Sequence, residues 1–272
     1  MYHFRALQET SLQQLADCFN LAFSDYEQPI CFTPESLQYY LTASNVDLRL
    51  SFGAFLDEEM VGFILNAAGS YHGQKVVFDA GTGVIPQHRG KGVFSALFAY
   101  TCTQLQKCQI TSYYLEVLQS NQPAVAIYSK KGFSVEREYS VLVASGAGSG
   151  ETAPVAVMPW QEFTAFETAF SVEPSFEHTL YAVNQNPQLY EVCCLDDRAW
   201  CLYAKRNGEI IQLHYNALDA LKEVMAAVIR RYPRAMAKNV DCGCPDVIQM
   251  LKTLGFAEIL MQYEMVKDLC AL

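Results

Sequence analysis

The stretch Gly83-Val84-Ile85-Pro86-Gln87-His88-Arg89-Gly90-Lys91-Gly92-Val93-Phe94-Ser95-Ala96-Leu97 begins as an apolar, β-prone run. It passes through a loop with two glycines and two basic residues, then continues as an apolar pattern at helical spacing. Strand, glycine loop, helix is the layout of a phosphate cradle. Backbone N–H groups at a helix start point outward together, and the helix dipole adds to their pull on an anion. Gly90 and Gly92 allow close backbone approach and positive φ. Two phosphate-binding patterns do not fit. A P-loop places Ser or Thr after its Gly-Lys pair, and here Lys91 is followed by Gly92 and Val93. A dinucleotide loop GxGxxG would need glycine where Ser95 stands, and an acidic residue closing the next strand. A third pattern, Gln/Arg-x-x-Gly-x-Gly/Ala, is met in full by Gln87-His88-Arg89-Gly90-Lys91-Gly92.

Working outward, the periodicity predicts helices over 11–24, 33–43, 92–107 and 123–131. Thr10 or Ser11 caps the first, and Thr33-Pro34-Glu35 opens the second. Gly132 stops the last. Strands are expected over 48–56, 60–67, 76–85, 112–118 and 133–143, with turns at 57–59 and 69–73. Gly81 and Gly83 inside a strand mark a bulge or a close backbone approach.

The segment Tyr114-Leu115-Glu116-Val117-Leu118-Gln119-Ser120-Asn121-Gln122-Pro123-Ala124-Val125-Ala126-Ile127-Tyr128-Ser129-Lys130-Lys131-Gly132-Phe133 lies one helix and one strand beyond the glycine loop. Both segments, in this order and at this spacing, resemble motifs of the GNAT acyltransferase (N-acetyltransferase) superfamily. The resemblance covers about residues 1–143. It implies a mixed, twisted sheet that splays open between strands 76–85 and 112–118, with the pantetheine arm of an acyl-CoA in the opening. By the same resemblance, Val84 and Ile85 pair with the pantetheine amides. Gln87, Arg89, Gly90, Lys91, Gly92, Val93 and Phe94 surround the pyrophosphate, largely through backbone amides, and Asn121 touches the cofactor arm. Phe94 departs from the small residue frequent in the family. Tyr128 matches the general acid that protonates the leaving thiolate. The attacking amine must lose a proton, for which Glu116 and Asp79 are candidate bases, with His72 a third. The Val84 backbone is a candidate oxyanion donor.

The run Ala144-Ser145-Gly146-Ala147-Gly148-Ser149-Gly150 reads as a linker. With Phe133 set against Phe256, helix 123–131 lies over 246–254 and strand 112–118 over 235–241. Helix 217–232, preceded by strands 199–203 and 209–213, then corresponds to 92–107. The expected fold class is therefore α/β (α+β), two tandem GNAT-like domains, each a mixed twisted sheet flanked by helices. The expected boundaries are 1–145, a linker 146–152, and 153–272. In that register Tyr128 falls on Leu251 and Asn121 on Cys244, and no glycine pair precedes helix 217–232. The second half is thus expected to be degenerate as an acyl-CoA binder, and to wall the acceptor pocket, pack on the first half or form a homodimer. Trp160, Phe163, Phe166, Phe170, Trp200, Tyr203 and Tyr215 are candidate pocket or core aromatics, and His178 and His214 read as structural.

The net charge of −10 argues against nucleic acid and anionic membranes as partners and favours a cationic acceptor. No stretch reaches the roughly 18 apolar residues of a membrane helix, and the start of the chain lacks a secretion signal, so a cytoplasmic protein is expected. The ten cysteines form no CxxC pairs; they read as reduced small hydrophobes rather than metal ligands. The resemblance implies acetyl-CoA or another short acyl-CoA as co-substrate, a small amine as acceptor, no metal, and direct attack in a ternary complex. The alternative is a non-catalytic acyl-CoA-binding sensor or interaction protein.

Overall fold

A computed structural model describes residues 1–25, 31–146, 154–165 and 171–270. The chain divides into two compact units, Met1–Leu115 with Val266–Leu272, and Glu116–Met265. The linker expected at 146–152 lies, apart from Gly146, outside the described residues, as do Phe166 and Phe170.

In chain order the first unit holds β1 (Tyr2–Ala6), α1 (Leu12–Ala22), α2 (Pro34–Ala43), β2 (Phe52–Leu56), β3 (Glu59–Tyr71), β4 (Gln74–Val84), α3 (Val93–Lys107) and the start of β5 (Ser112–Leu118). Ser11 caps α1 by accepting from Gln14 N, and Thr33 and Ser36 close a capping box ahead of Pro34 in α2. The sheet order is β1-β2-β3-β4-β5. Its pairs are antiparallel until β4 and β5, which run parallel from Val76↔Ser112 to Phe78↔Tyr114.

Three expectations need correction. β1 was not foreseen: its five residues alternate half-buried and exposed, too short a run to stand out. The strand expected over 48–56 begins only at Phe52. Asp47 accepts from the backbone N and guanidinium of Arg49, and its carbonyl accepts from Ser51 Oγ, so the chain turns there first. The turn at 69–73 shrinks to His72-Gly73, with φ of 49° and 73° between the paired Tyr71 and Gln74. Two residues at positive φ give the turn whose twist matches the flanking strands, so β3 and β4 extend up to it.

The glycines in β4 do what glycines in strands do. Asn66 pairs with Asp79 and Leu65 with Gly81, leaving Ala80 as a bulge. At Gly83 a Cβ would lie 2.8 Å from the Phe63 ring and 2.9 Å from Ala22 Cβ, so α1 sits on the strand there only because the side chain is missing.

The second unit takes up the end of β5 and continues with α4 (Gln122–Lys130), β6 (Ser134–Ala144), β7 (Ala156–Met158), α5 (Trp160–Ala165), α6 (Leu180–Asn184), β8 (Tyr190–Leu195), β9 (Ala199–Ala204), β10 (Ile210–Tyr215), α7 (Leu218–Arg231), β11 (Met236–Asp241), α8 (Pro245–Thr253) and β12 (Phe256–Asp268), whose last residues fall in the first unit. Its strands run β12-β6-β11-β10-β9-β8-β7. The buried stripe of α7, which includes Leu221, Val224, Met225 and Val228, packs with Cys201, Tyr203 and Leu213 of the sheet.

The register expected between the halves holds at residue level. α4 and α8 are each nine residues long, and both start from a cap residue with ψ of 64°, Asn121 and Cys244. Each ends at a left-handed glycine, Gly132 at φ 88° and Gly255 at φ 86°. Phe133 and Phe256 are both buried just beyond. Strands β10 and β11 run parallel, as β4 and β5 do. Here the ladder pair is Ile210↔Ala237. Further along β10, side chains of the sheet hold the segment 171–179: Ser171 Oγ bonds both N and O of Tyr215 at 2.9 Å, Gln212 Nε2 donates to the His178 carbonyl, and Asn239 Nδ2 donates to Ser175 Oγ at 3.1 Å. Trp200 is buried with Phe163 edge-on to it, and His214 stacks on it at 5.6 Å.

Candidate functional site

In the first unit the glycine loop has the backbone of an anion cradle. Pro86–His88 forms a single 3-10 turn, in which His88 N donates to Ile85 O and Arg89 N to Pro86 O. Gly90 and Gly92 follow at φ of 72° and 78°. Such angles cost an L-residue roughly 1–2 kcal/mol and glycine very little. Gly92 is the cap of α3 and offers no side chain to bond its first turn. The N–H groups of Gly90, Lys91, Gly92 and Val93 meet no acceptor among the described residues. A Cβ at Gly90 or Gly92 would meet nothing within 4 Å, so the face of the loop is open. Phe94 is half-buried, its ring lying against Phe98 one turn along α3 at 5.7 Å.

Other residues expected at the cofactor have defined partners. The Arg89 guanidinium is a strut: Nη1 lies 2.6 Å from Asp25, Nη2 2.6 Å from the Ala22 carbonyl, and Nε 3.0 Å from the Val84 carbonyl. Its hydrogen bond holds the exposed Asp25 carboxyl below its ordinary value. Arg89 thus fastens the loop to the end of α1. Ile85 is buried with its N–H on Val61 O at 3.0 Å, while Gln87 and Lys91 are exposed. Asp79 braces the β4 bulge, accepting from Gly81 N at 3.0 Å and Thr82 Oγ1 at 2.7 Å, and the Tyr40 hydroxyl donates to the bulged Ala80 carbonyl.

The second unit carries Glu116, Asn121 and Tyr128. Asn121 caps α4, its Oδ1 accepting from Ala124 N at 3.2 Å. Tyr128 is half-buried, its ring edge-on to Phe133 at 5.5 Å. The Glu116 side chain is only 5% exposed, with Lys238 Nζ at 3.9 Å and Asn239 Nδ2 at 2.7 Å. Burial pushes its carboxyl up to about 7, against the pull of the Lys238 charge. That value lies where a general base works best at neutral pH. Lys238 also pairs with Glu177 at 2.6 Å. Burial works against the charges of both, but their mutual attraction wins, raising the lysine and lowering the carboxyl.

The sequence reading missed Lys238, Asn239 and Glu177. The one available clue was two adjacent polar residues in Met236-Ala237-Lys238-Asn239-Val240, which break the strand alternation; there β11 is irregular, with a register shift between Ala237 and Val240. Among the described residues no group of three or more His, Cys, Asp or Glu side chains is placed to hold a metal ion. No described helix is long and apolar enough to cross a membrane.

Residues 12–133 match the profile of the acetyltransferase (GNAT) family. No curated protein matches the chain in sequence. Among solved structures, a GCN5-related N-acetyltransferase from Sphaerobacter thermophilus is similar with TM-score 0.68 at 16% identity, over 98% of this chain and 96% of that one. A GCN5-related N-acetyltransferase from Anabaena variabilis is similar with TM-score 0.60 at 12% identity, over 99% and 73%. A tandem GNAT protein from the clavulanic acid biosynthesis pathway is similar with TM-score 0.64 at 13% identity, over 99% of both chains.

Proposed function

Residues 12–133 belong to the GNAT acetyltransferase family and the chain has the tandem GNAT fold, and from that premise we propose an N-acyltransferase that moves a short acyl group, acetyl by preference, from acyl-CoA to an amine. The observation that carries this reading is the start of α3. It combines two left-handed glycines, an uncapped helix N-terminus and an open loop face inside the family-matched segment. Backbone N–H groups of Gly90 to Val93 hold the pyrophosphate, and Arg89 keeps the loop in place without itself touching it. Val84 and Ile85 lie along the pantetheine arm, and Asn121 contributes an amide to it.

Transfer proceeds by direct attack of the amine on the thioester carbonyl. The amine first loses one proton to a base; then the C–N bond forms, the C–S bond breaks, the leaving sulfur takes the Tyr128 proton, and the second proton of the nitrogen restores the Tyr128 hydroxyl. No covalent enzyme intermediate is needed, so the cysteines have no nucleophilic part. Of the candidate bases Asp79 and Glu116, the first has both oxygens engaged within its own bulge, whereas burial raises the second to about 7.

Calorimetric titration with acetyl-CoA tests the reading. Micromolar binding at one site per chain is expected, followed by CoA release over a panel of primary amines. Gly92→Ala adds no clash, yet it strains a residue at φ 78° and disturbs the N–H fan. Charged hydrogen bonds are worth about 1.5–3 kcal/mol each, so acetyl-CoA affinity should fall roughly tenfold to a hundredfold. Absence of binding at high micromolar acetyl-CoA would overturn the proposal. Binding without turnover over the whole panel would make the protein a sensor.

A further inference from the structure

The second unit holds a cavity of about 440 Å³ at the β7 edge of its sheet. β7 covers β8 only as far as the pair Met158↔Val192, and Pro159 then leads the chain into α5. A recess is left beside the first residues of β8, closed by the 3-10 turn Pro187–Leu189 and by Lys205 just past β9. Its volume falls in the range of small-molecule sites, roughly 300–1,000 Å³. The lining is mostly apolar: Val157, Met158, Trp160, Pro187, Tyr190 and Val192. Val157 stays 64% exposed there. Trp160 is fixed in place, its indole Nε1 donating to Asn184 Oδ1 at 3.1 Å and its ring lying 5.1 Å from the buried Phe163 ring. An anchored aromatic wall loses little freedom when a ligand arrives, and two aromatic side chains, Trp160 and Tyr190, favour a flat apolar group against them.

The polar part of the lining says which charge the ligand carries. Two ionic side chains reach the cavity, Glu191 and Lys205. Glu191 is already committed: it accepts from the Tyr203 hydroxyl and pairs with Arg231. Burial opposes its charge, yet those bonds keep its carboxyl below the ordinary value. Lys205 is exposed, and its Nζ donates to the Gln188 carbonyl at 3.0 Å. An ammonium has three N–H groups, so that bond holds Lys205 at the rim and leaves donors for a ligand. The surroundings are basic. Lys205 and Arg206 stand in the turn between β9 and β10, and the Tyr232 hydroxyl, donating to the Lys205 carbonyl at 2.7 Å, ties that turn to the end of α7 with Arg230 and Arg231. Glu191 and Glu209 offset two of these four charges. In a chain of net charge −10, this is a local field of the opposite sign, and it draws anions.

We propose that this cavity binds a small aromatic carboxylate, whose ring lies against Trp160 and Tyr190 and whose carboxylate takes the Lys205 ammonium. A neutral ligand of the same shape would forgo the charged bond, and a cationic one would meet Lys205 as a like charge. The site uses no residue of the glycine loop, and it stands whether or not the chain transfers acyl groups.

The probes are phenylbutyrate, its neutral amide phenylbutyramide, and phenylbutylamine, each titrated calorimetrically into the full chain. Tryptophan emission is followed in parallel. The chain has two tryptophans, and Trp200 is only 2% exposed, so a bound ring should change the emission of Trp160. Phenylbutyrate is expected to bind once per chain with submillimolar affinity, the amide at least tenfold more weakly, and the amine without saturation. Lys205→Met should weaken phenylbutyrate at least tenfold, the loss of one charged hydrogen bond, and leave the amide unchanged. Because Lys205 is exposed, the variant should keep the native melting temperature. Lys205→Glu should reverse the order and favour the amine. Excess acetyl-CoA should not displace phenylbutyrate. The proposal would be overturned by no saturable phenylbutyrate binding up to millimolar concentration, by an amide or amine that binds as tightly, or by native affinity in Lys205→Met. Binding that leaves tryptophan emission unchanged, or that acetyl-CoA displaces, would equally overturn it.

Discussion

Arg137→Met is expected to cost about 3–5 kcal/mol of stability. The guanidinium is 13% exposed and grips a fully buried Glu264 with two bonds, Nε at 2.9 Å and Nη2 at 3.2 Å. It also reaches Asp241 at 3.4 Å and the carbonyls of Glu173 and Pro174 at 3.2 Å, and it lies over the Tyr139 ring at 5.0 Å. Methionine keeps much of the volume and none of this. The Glu264 carboxylate would stay buried without its cation, with the Tyr139 hydroxyl still donating at 2.8 Å. Urea unfolding reads the loss as a lower midpoint at unchanged slope. The double variant Arg137→Met/Glu264→Gln should recover a large part of it, because the stranded charge is then gone. A single variant within 1 kcal/mol of the native protein would mean the pair supports nothing.

Tyr128→Phe is expected to lower kcat by roughly 10²–10⁴-fold with acetyl-CoA affinity little changed. In the proposed transfer the hydroxyl only gives the departing sulfur its proton, a demand that arises in the transition state and not in the bound complex. The ring keeps its edge contact with Phe133, so packing should survive and the melting temperature should hold. Stopped-flow detection of free thiol over the amine panel measures the effect. A variant that turns over at the native rate would remove Tyr128 from the mechanism and leave its place in α4 as packing alone.

The elements that were legible in the sequence share a local cause. α1 and α2 carry their own caps, α3 its glycine loop, and α4 and α8 their terminal glycines, all readable within a few residues. The match of Asn121 to Cys244 was legible because it rests on the same short turn repeated. What was not legible comes from distance. Nothing near Arg89 in sequence shows that its guanidinium is committed to Asp25 and Ala22 rather than to an anion. Glu116 looked like any strand carboxylate, and its environment is made by Lys238, Asn239 and Glu177, which only folding brings to it. β1 and β7 are too short to show a period.

The first unit is discontinuous, because Val266 onward packs with Met1–Leu115. Leu269 N donates to Thr111 O, and Gln106 Nε2 donates to the Leu269 carbonyl. During synthesis, then, the segment with the glycine loop leaves the ribosome first but cannot complete its packing until all of Glu116–Met265 has followed. Contacts between residues so far apart in the chain close slowly, because the loop between them must be ordered first. Cutting the chain after residue 145 to isolate the half with the glycine loop would remove those late contacts, and the fragment should emerge partly folded and prone to aggregate.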